Sequence, residues 1–390
     1  MPHDRAVRRS PGAAVAPPAS PAAQQGSAAS GDAAAPAGPH AFATRLVAWQ
    51  ALQGRHDLPW QGADPYRVWL SEIMLQQTQV SVVIDYFGRF VARFPTIEAL
   101  AAAPLDDVLA AWSGLGYYQR ARNLHRCAGV VVAQHGGEFP RSAAALAALP
   151  GIGESTAAAI AAFCFGERAA ILDGNVRRVL CRAFGVDLPA GTAAANRRLW
   201  ELARSLLPDA GLIAPYTQGL MDLGATLCKP RRPECGRCPF EADCSAHRAG
   251  AESDLPARRP RNAQRPQRET VVLWMRRAAD DRLWLEKRPP AGIWPGLWSL
   301  PEFASEDAAL EFAGRFGPIV QRQRLAPIRH GFTHFELTLR PLLVDVDATA
   351  HAADAGSGWT RLADAPALAL PAPVRALLAA GDPAPPAAVR

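Results

Sequence analysis

The 390-residue sequence has no long apolar run; none of its hydrophobic stretches approaches the roughly 20 residues that a membrane-spanning helix needs. The first forty residues also lack the apolar core of a secretory signal, so the chain is expected to be cytoplasmic, with no membrane partner. Cysteine is scarce at seven residues, and in a reducing compartment those are not expected to pair as disulfides. Charged residues are only 20% of the chain. Their balance is nonetheless positive, +6 with a pI near 9.1, which favours a polyanionic partner.

What is present is divided along the chain. Residues 1–41 are mostly Ala, Pro, Gly and Ser, too little apolar surface to offset the entropy of ordering, and are expected to form a disordered tail. From 42 to 227, Leu, Val, Ala and Trp recur at three- and four-residue spacings with Pro and Gly at the breaks, which predicts an all-α domain. A cysteine-rich loop follows at 228–248, and a linker at 249–268 contains the arginine- and proline-rich "DLPARRPRNAQRPQR". Beyond it, 269–390 holds the β-rich runs "TVVLWMRR", "RLWLEKR" and "HFELTLRPLLVDV", with helical patterns near 306–315 and at the C-terminus, which predicts an α+β domain. The chain is long enough for two such domains.

Four of the seven cysteines stand in "CKPRRPECGRCPFEADC": Cys228, Cys235, Cys238 and Cys244, separated by six, two and five residues. A zinc ribbon shows two close pairs, and only Cys235 and Cys238 form one; ferredoxin spacing differs as well. Zinc or a cubane iron–sulfur cluster therefore both stand open from spacing alone. Cys127, Cys164 and Cys181 lie in apolar helical stretches and are expected to be buried as small hydrophobes.

Three further stretches carry chemistry. "LPGIG" lies between two Ala-rich helical segments; Gly151 and Gly153 permit a tight turn, and the N–H groups opening the second helix suit a phosphate. "ILDGNVRRV" puts Asp173 where a helix cap belongs. In "PYRVWLSEIMLQQTQV", Glu72 shares a helical face with Val68 and Leu75, so its carboxyl is expected to be partly desolvated and shifted toward neutrality, as a general acid requires.

The cysteine spacing, the hairpin glycines and "SEIMLQQTQV" together resemble the helix-hairpin-helix iron–sulfur DNA glycosylases, and "GLGYYQRARNLH" and "LPWQ" are similar to the MutY-type adenine glycosylases among them. The resemblance implies a [4Fe–4S] cluster on the four clustered cysteines, double-stranded DNA as partner, and a monomer working on the nucleoid. It implies that Glu72 protonates adenine and that Asp173 stabilises the cationic sugar, with Ser155 and Asn175 aiding water attack. By the same resemblance Tyr117 wedges into the base stack and Gln77 fills the space of the flipped base. Gly151 and Gly153 then grip the DNA backbone, and Arg120, Arg122, Arg231 and Arg232 meet phosphates. Where endonuclease III-like enzymes carry a lysine nucleophile, this sequence has Ser155, and Arg177 follows the "DGNV" segment, so base removal without strand cleavage is expected; a bifunctional glycosylase/lyase is the alternative.

The C-terminal stretch can be laid on the Nudix hydrolase signature at Gly296, Glu302, Glu311 and Gly317. Leu310 replaces its arginine, and Gly314 and Arg315 replace its paired metal-binding glutamates. A Nudix-like fold without Mg²⁺-dependent hydrolysis is expected, against the rival of a nucleotide hydrolase. The resemblance further implies that Phe332, Thr333 and His334 recognise 8-oxoguanine, with Thr333 in place of the usual serine.

Overall fold

The computed structural model describes residues 39–257, 265–277, 279–280, 282–332, 334–348 and 356–381. Most of the expected tail, part of the expected linker and Thr333 thus lie outside the described residues. The helical region comprises α1 (Pro39–Gln53), α2 (Pro65–Leu75), α3 (Val80–Arg93), α4 (Ile97–Ala102), α5 (Leu105–Ala111), α6 (Gln119–His135), α7 (Ala143–Ala147), α8 (Glu154–Phe165), α9 (Gly174–Phe184), α10 (Ala193–Ser205), α11 (Ile213–Thr226) and the single turn α12 (Ser245–Arg248). Helix α1 begins inside the stretch expected to be tail, because Phe42 and Ala43 are buried and Phe42 stacks on Phe240 of the cysteine loop at 4.2 Å. No helix among the described residues is long and apolar enough to cross a membrane.

Two apolar cores divide this region, and α8 belongs to both. Ala157, Ile160 and Ala161 face the core built on α2–α6, whereas Ala158, Ala159 and Ala162 face the one built on α1, α9, α10 and α11. A helix apolar on every side must be buried on every side. Its alanines let both halves approach closely, and the seam between the halves is where the cavities described below open. The hairpin turn before α8 depends on glycine at one position: Gly151 has φ +79, and a Cβ there would lie 2.6 Å from Asn123 Cβ. Gly153, with φ −88, is the N-cap of α8.

The C-terminal region is one mixed sheet with a helix on each face. Its strands are β1 (Gln267–Arg277), β2 (Arg282–Lys287), β3 (Trp298–Ser299), β4 (Glu302–Phe303), β5 (Ile319–Arg324), β6 (Ile328–Gly331), β7 (Glu336–Val346) and β8 (Ser357–Arg361), with α13 (Glu306–Gly314) and α14 (Ala372–Ala379). The central path is β3-β2-β1-β7-β5; β1 and β7 run parallel from Gln267↔Glu336 to Arg277↔Val346, and the other pairings are antiparallel. Period-2 alternation sorts the side chains: Val272 and Trp274 pack toward α14, while Val271, Leu273 and Met275 pack toward α13. Burial on both faces explains why β1 reads as a continuous apolar run. Residues 249–257, expected as linker, begin by packing on the helices: Leu255 is buried and its carbonyl accepts from Arg182 Nε at 3.0 Å.

The sheet rests on the helical region. Leu297 and Ala369 are buried within the α2–α6 core, Tyr118 Oη donates to the Leu370 carbonyl at 2.9 Å, and Lys287 pairs with Asp106 at 2.7 Å.

Candidate active site

Glu72 sits at the junction of two cavities. One, of about 380 Å³, is walled mainly by apolar side chains including Leu58, Trp60, Val68 and Phe163; the other, of about 610 Å³, is an open groove lined by Gln77, Ser155, Asp173 and Asn175. The placement follows from α2. Asp64 caps it through Arg67 N, Pro65 starts it, and the buried Tyr66, Val68, Trp69, Leu70, Ile73 and Met74 fix its rotation so that Glu72 turns into the seam. Desolvation there, with a smaller contribution from the Asp173 charge, pushes the Glu72 carboxyl from 4.5 up to about 8.

Asp173 caps a helix and also lines the groove. Its Oδ1 accepts from Val176 N at 2.7 Å and so caps α9, while the residue also lines the groove beside Glu72. Ser155 supports this position: its Oγ accepts from Leu172 N at 2.9 Å, pinning the segment that enters Asp173. Asn175 Oδ1 accepts from Arg178 Nη2 at 2.8 Å, and the same guanidinium donates to the carbonyls of Gly224 (2.8 Å) and Cys228 (2.7 Å). Helix α9 thereby joins the groove to the cysteine loop.

A second polar layer, not anticipated from the sequence, closes the smaller cavity. Asp222 is fully buried and accepts from Arg55 N (2.9 Å), Arg55 Nε (2.7 Å) and Gln218 Nε2 (2.8 Å). Arg55 and Gln218 both line the cavity. The signal was available: Gln218 and Asp222 stand four residues apart on a helix otherwise rich in apolar residues, which puts two polar groups on one buried face.

Gln77 and Tyr117 are exposed and both hold left-handed backbones, φ 60 and 49. Arg120, expected at a phosphate, instead braces the turns that carry them. Its guanidinium is buried and donates to the carbonyls of Ile73 (2.9 Å), Met74 (2.7 Å), Leu115 (3.1 Å) and Gly116 (3.2 Å) and to Thr78 Oγ1 (3.1 Å). Two of those carbonyls belong to the last turn of α2, where no intrahelical donor remains. Arg122 likewise departs from expectation and donates to the Pro295 carbonyl. Arg231 and Arg232 are exposed on the cysteine loop.

Cys228, Cys235, Cys238 and Cys244 line one small cavity of about 30 Å³, and none is in a disulfide. Burial, reinforced by the Glu252 carboxylate and then by neighbouring sulfurs, pushes Cys235 up to about 11, and burial reinforced by neighbouring sulfurs pushes Cys238 up to about 12. Arg182 Nη1 lies 3.4 Å from Cys228 Sγ. Four sulfurs converging on one small cavity suit a cationic metal core.

In the sheet region, Phe332 N donates to Phe335 O at 2.9 Å; Phe332 stacks on Phe335 and His334 is exposed. Of the two glutamates surviving from the Nudix signature, Glu302 is paired with Arg288 at 2.8 Å and Glu311 with Arg315 at 3.0 Å. Neither belongs to a carboxylate cluster fit to hold a metal among the described residues.

The profile described as "HhH-GPD superfamily base excision DNA repair protein" matches residues 70–205, and the "NUDIX domain" profile matches 271–380. Adenine DNA glycosylase of Buchnera aphidicola subsp. Baizongia pistaciae is 33% identical over 86% of this chain and 95% of its own length. That of Mus musculus is 35% identical over 82% of this chain and 73% of its own, and that of Mycobacterium tuberculosis 40% identical over 56% and 72%. With two matched domains in this order and similarity spanning most of the chain, the protein belongs to the adenine DNA glycosylase family of base excision repair enzymes.

Proposed function

We propose that this chain, acting as a monomer on duplex DNA, hydrolyses the N-glycosidic bond of adenine mispaired with 8-oxoguanine or guanine and does not cleave the strand. The observation that carries the chemistry is the placing of Glu72 with Asp173 along one groove at the mouth of an apolar cavity, where desolvation pushes the Glu72 carboxyl up to about 8. The target adenine leaves the stack and enters that cavity, since an acid cannot reach its N7 inside the helix. Glu72 then donates its proton to N7, turning the purine into a neutral leaving group. As the bond breaks, Asp173 faces the positive charge developing on the sugar. Glu72, now a carboxylate, takes a proton from water attacking the sugar, with Asn175 and the Ser155 hydroxyl completing the polar wall. Gln77 and Tyr117 hold the opened stack, while Gly151, Gly153, Arg231 and Arg232 grip the backbone.

Strand cleavage needs an amine. The chain has two lysines, Lys229 and Lys287, and both are committed to ion pairs, with Glu234 at 2.6 Å and Asp106 at 2.7 Å; neither lines either cavity. Cys228, Cys235, Cys238 and Cys244 fit a [4Fe–4S] cluster, which when bound cross-links the loop carrying Arg231 and Arg232 rather than taking part in bond cleavage. Phe332, Thr333 and His334 are assigned to the base opposite adenine.

The test is single-turnover excision, developed with alkali, on duplexes bearing adenine opposite 8-oxoguanine, guanine or thymine. Cleavage is expected for the first two, only after alkali, with no borohydride-trapped adduct. Absence of alkali-labile product, or a trapped covalent complex, refutes the assignment.

A further inference from the structure

Trp294 has no place in the chemistry above, yet its backbone lies in the left-handed region at φ 51. An indole-bearing residue persists there only where its surroundings over-determine it. The surroundings come from both domains. Trp294 packs against the buried core of α2–α6 and against the core between the sheet and α14. Its ring lies 5.4 Å from Phe332 and 5.5 Å from His330, and Phe332 in turn stacks on Phe335 at 4.5 Å.

The next two residues complete the junction. Arg122, on the helix that begins just after Tyr117, donates to the Pro295 carbonyl. Gly296, at φ +63, approaches so closely that a Cβ there would lie 2.9 Å from Arg122 Nη2. Leu297 is fully buried in the helical core. A continuous packed path therefore runs from the Tyr117 turn through Arg122 and residues 294–297 to the stacked Phe332 and Phe335. Tyr117 and His334, at its two ends, are both exposed, as groups that must meet one stretch of duplex have to be.

We propose that Trp294 is a positioning residue for mispair discrimination: through Phe332 and Phe335 it holds His334 at a fixed separation from Tyr117, so that the opposing base is read while adenine is held out of the stack. This rests on the assignment of lesion reading to 332–334. Discrimination between two bases differing at one edge depends on one or two hydrogen bonds, and a side chain displaced by about an ångström forfeits them.

The full chain tests this, with excision of adenine opposite 8-oxoguanine and opposite guanine measured at single turnover. Trp294→Ala is expected to lower the ratio of the two rates roughly five- to twentyfold, leaving excision opposite guanine within about twofold. Trp294→Phe is expected to restore most of the ratio, and Arg122→Gln, made from the opposite side of the junction, to lower it. In combination with His334→Ala, the Trp294→Ala change adds little, since both act on one contact. If Trp294→Ala keeps the ratio while His334→Ala lowers it, the positioning role is wrong and lesion reading by His334 stands. If His334→Ala also keeps it, lesion reading itself fails and the inference falls with it. An equal loss on both substrates, unrelieved by Trp294→Phe, marks a merely structural residue and overturns the proposal.

Discussion

Replacing Glu72 by Gln should make the folded protein more stable in alkaline buffer while abolishing excision, because the carboxyl held for catalysis is held at a cost. Its proton leaves at about 8 rather than 4.5. At pH 7 about nine in ten folded molecules then carry the acid, against about one in 300 for an ordinary glutamate. The same difference acts on stability. Below pH 4.5 folded and unfolded chains both keep the proton and nothing is lost; between 4.5 and about 8 the unfolded chain releases it first, so stability falls as pH rises, and above 8 the loss is complete. The full gap corresponds to about 5 kcal/mol, but Glu72 opens onto water-accessible cavities, and screening should reduce the effect to about 2–3 kcal/mol. Thermal unfolding of both proteins across pH 4.5 to 9 reads this directly: the Gln variant should gain on the unaltered chain through that window and hold its lead above about pH 8. Single-turnover excision by the unaltered chain should be flat in acid and decline through about pH 8. A Gln variant that melts no higher than the parent at pH 9 than at pH 4.5, or excision undiminished at high pH, refutes the reasoning.

Asp173→Asn separates the two roles of that residue. Asn caps a helix about as well as Asp, so the melting temperature should hardly move, whereas excision should drop about a hundred- to a thousandfold and the alkaline limb of any residual activity should shift to lower pH, since the charge that helps raise Glu72 is gone. Equal loss of stability and activity would point to capping alone. Purified chain should carry about four irons, and Cys238→Ala should lose iron and duplex binding together in gel-shift titrations; stoichiometric zinc would overturn the ligand assignment.

The helical region and the sheet region were legible in the sequence because each leaves a periodic trace, whereas Asp173 left only the signal of a helix cap. Glu72 announced itself through Val68 and Leu75 on its own helical face, and β1, β2 and β7 through apolar runs buried on both sides. Strand β5 left no such trace: "IVQRQR" is exposed along nearly its whole length and pairs only through its backbone with β7. Strands of two residues, such as β3 and β4, are too short for any alternation to register.

Arginine was the residue type least readable from the sequence, for a reason that lies in its chemistry. A guanidinium offers five donors in a plane and suits a phosphate or a row of helix-terminal carbonyls equally well. Sequence records the donors and never the acceptor. Arg120 and Arg122 stand in a motif expected to meet DNA, yet the first satisfies the end of α2 and the second meets Pro295. Arg178 and Arg182 are buried in the same way, bonded to carbonyls of the cysteine loop. The net charge of +6 therefore overstates the cations free to meet DNA. Part of it lies inside, where Arg120 holds the turns that carry Gln77 and Tyr117 and Arg178 and Arg182 hold the cysteine loop. Neutralising Arg231 should thus change the salt dependence of binding, whereas neutralising Arg120 should first change the fold that the DNA would meet.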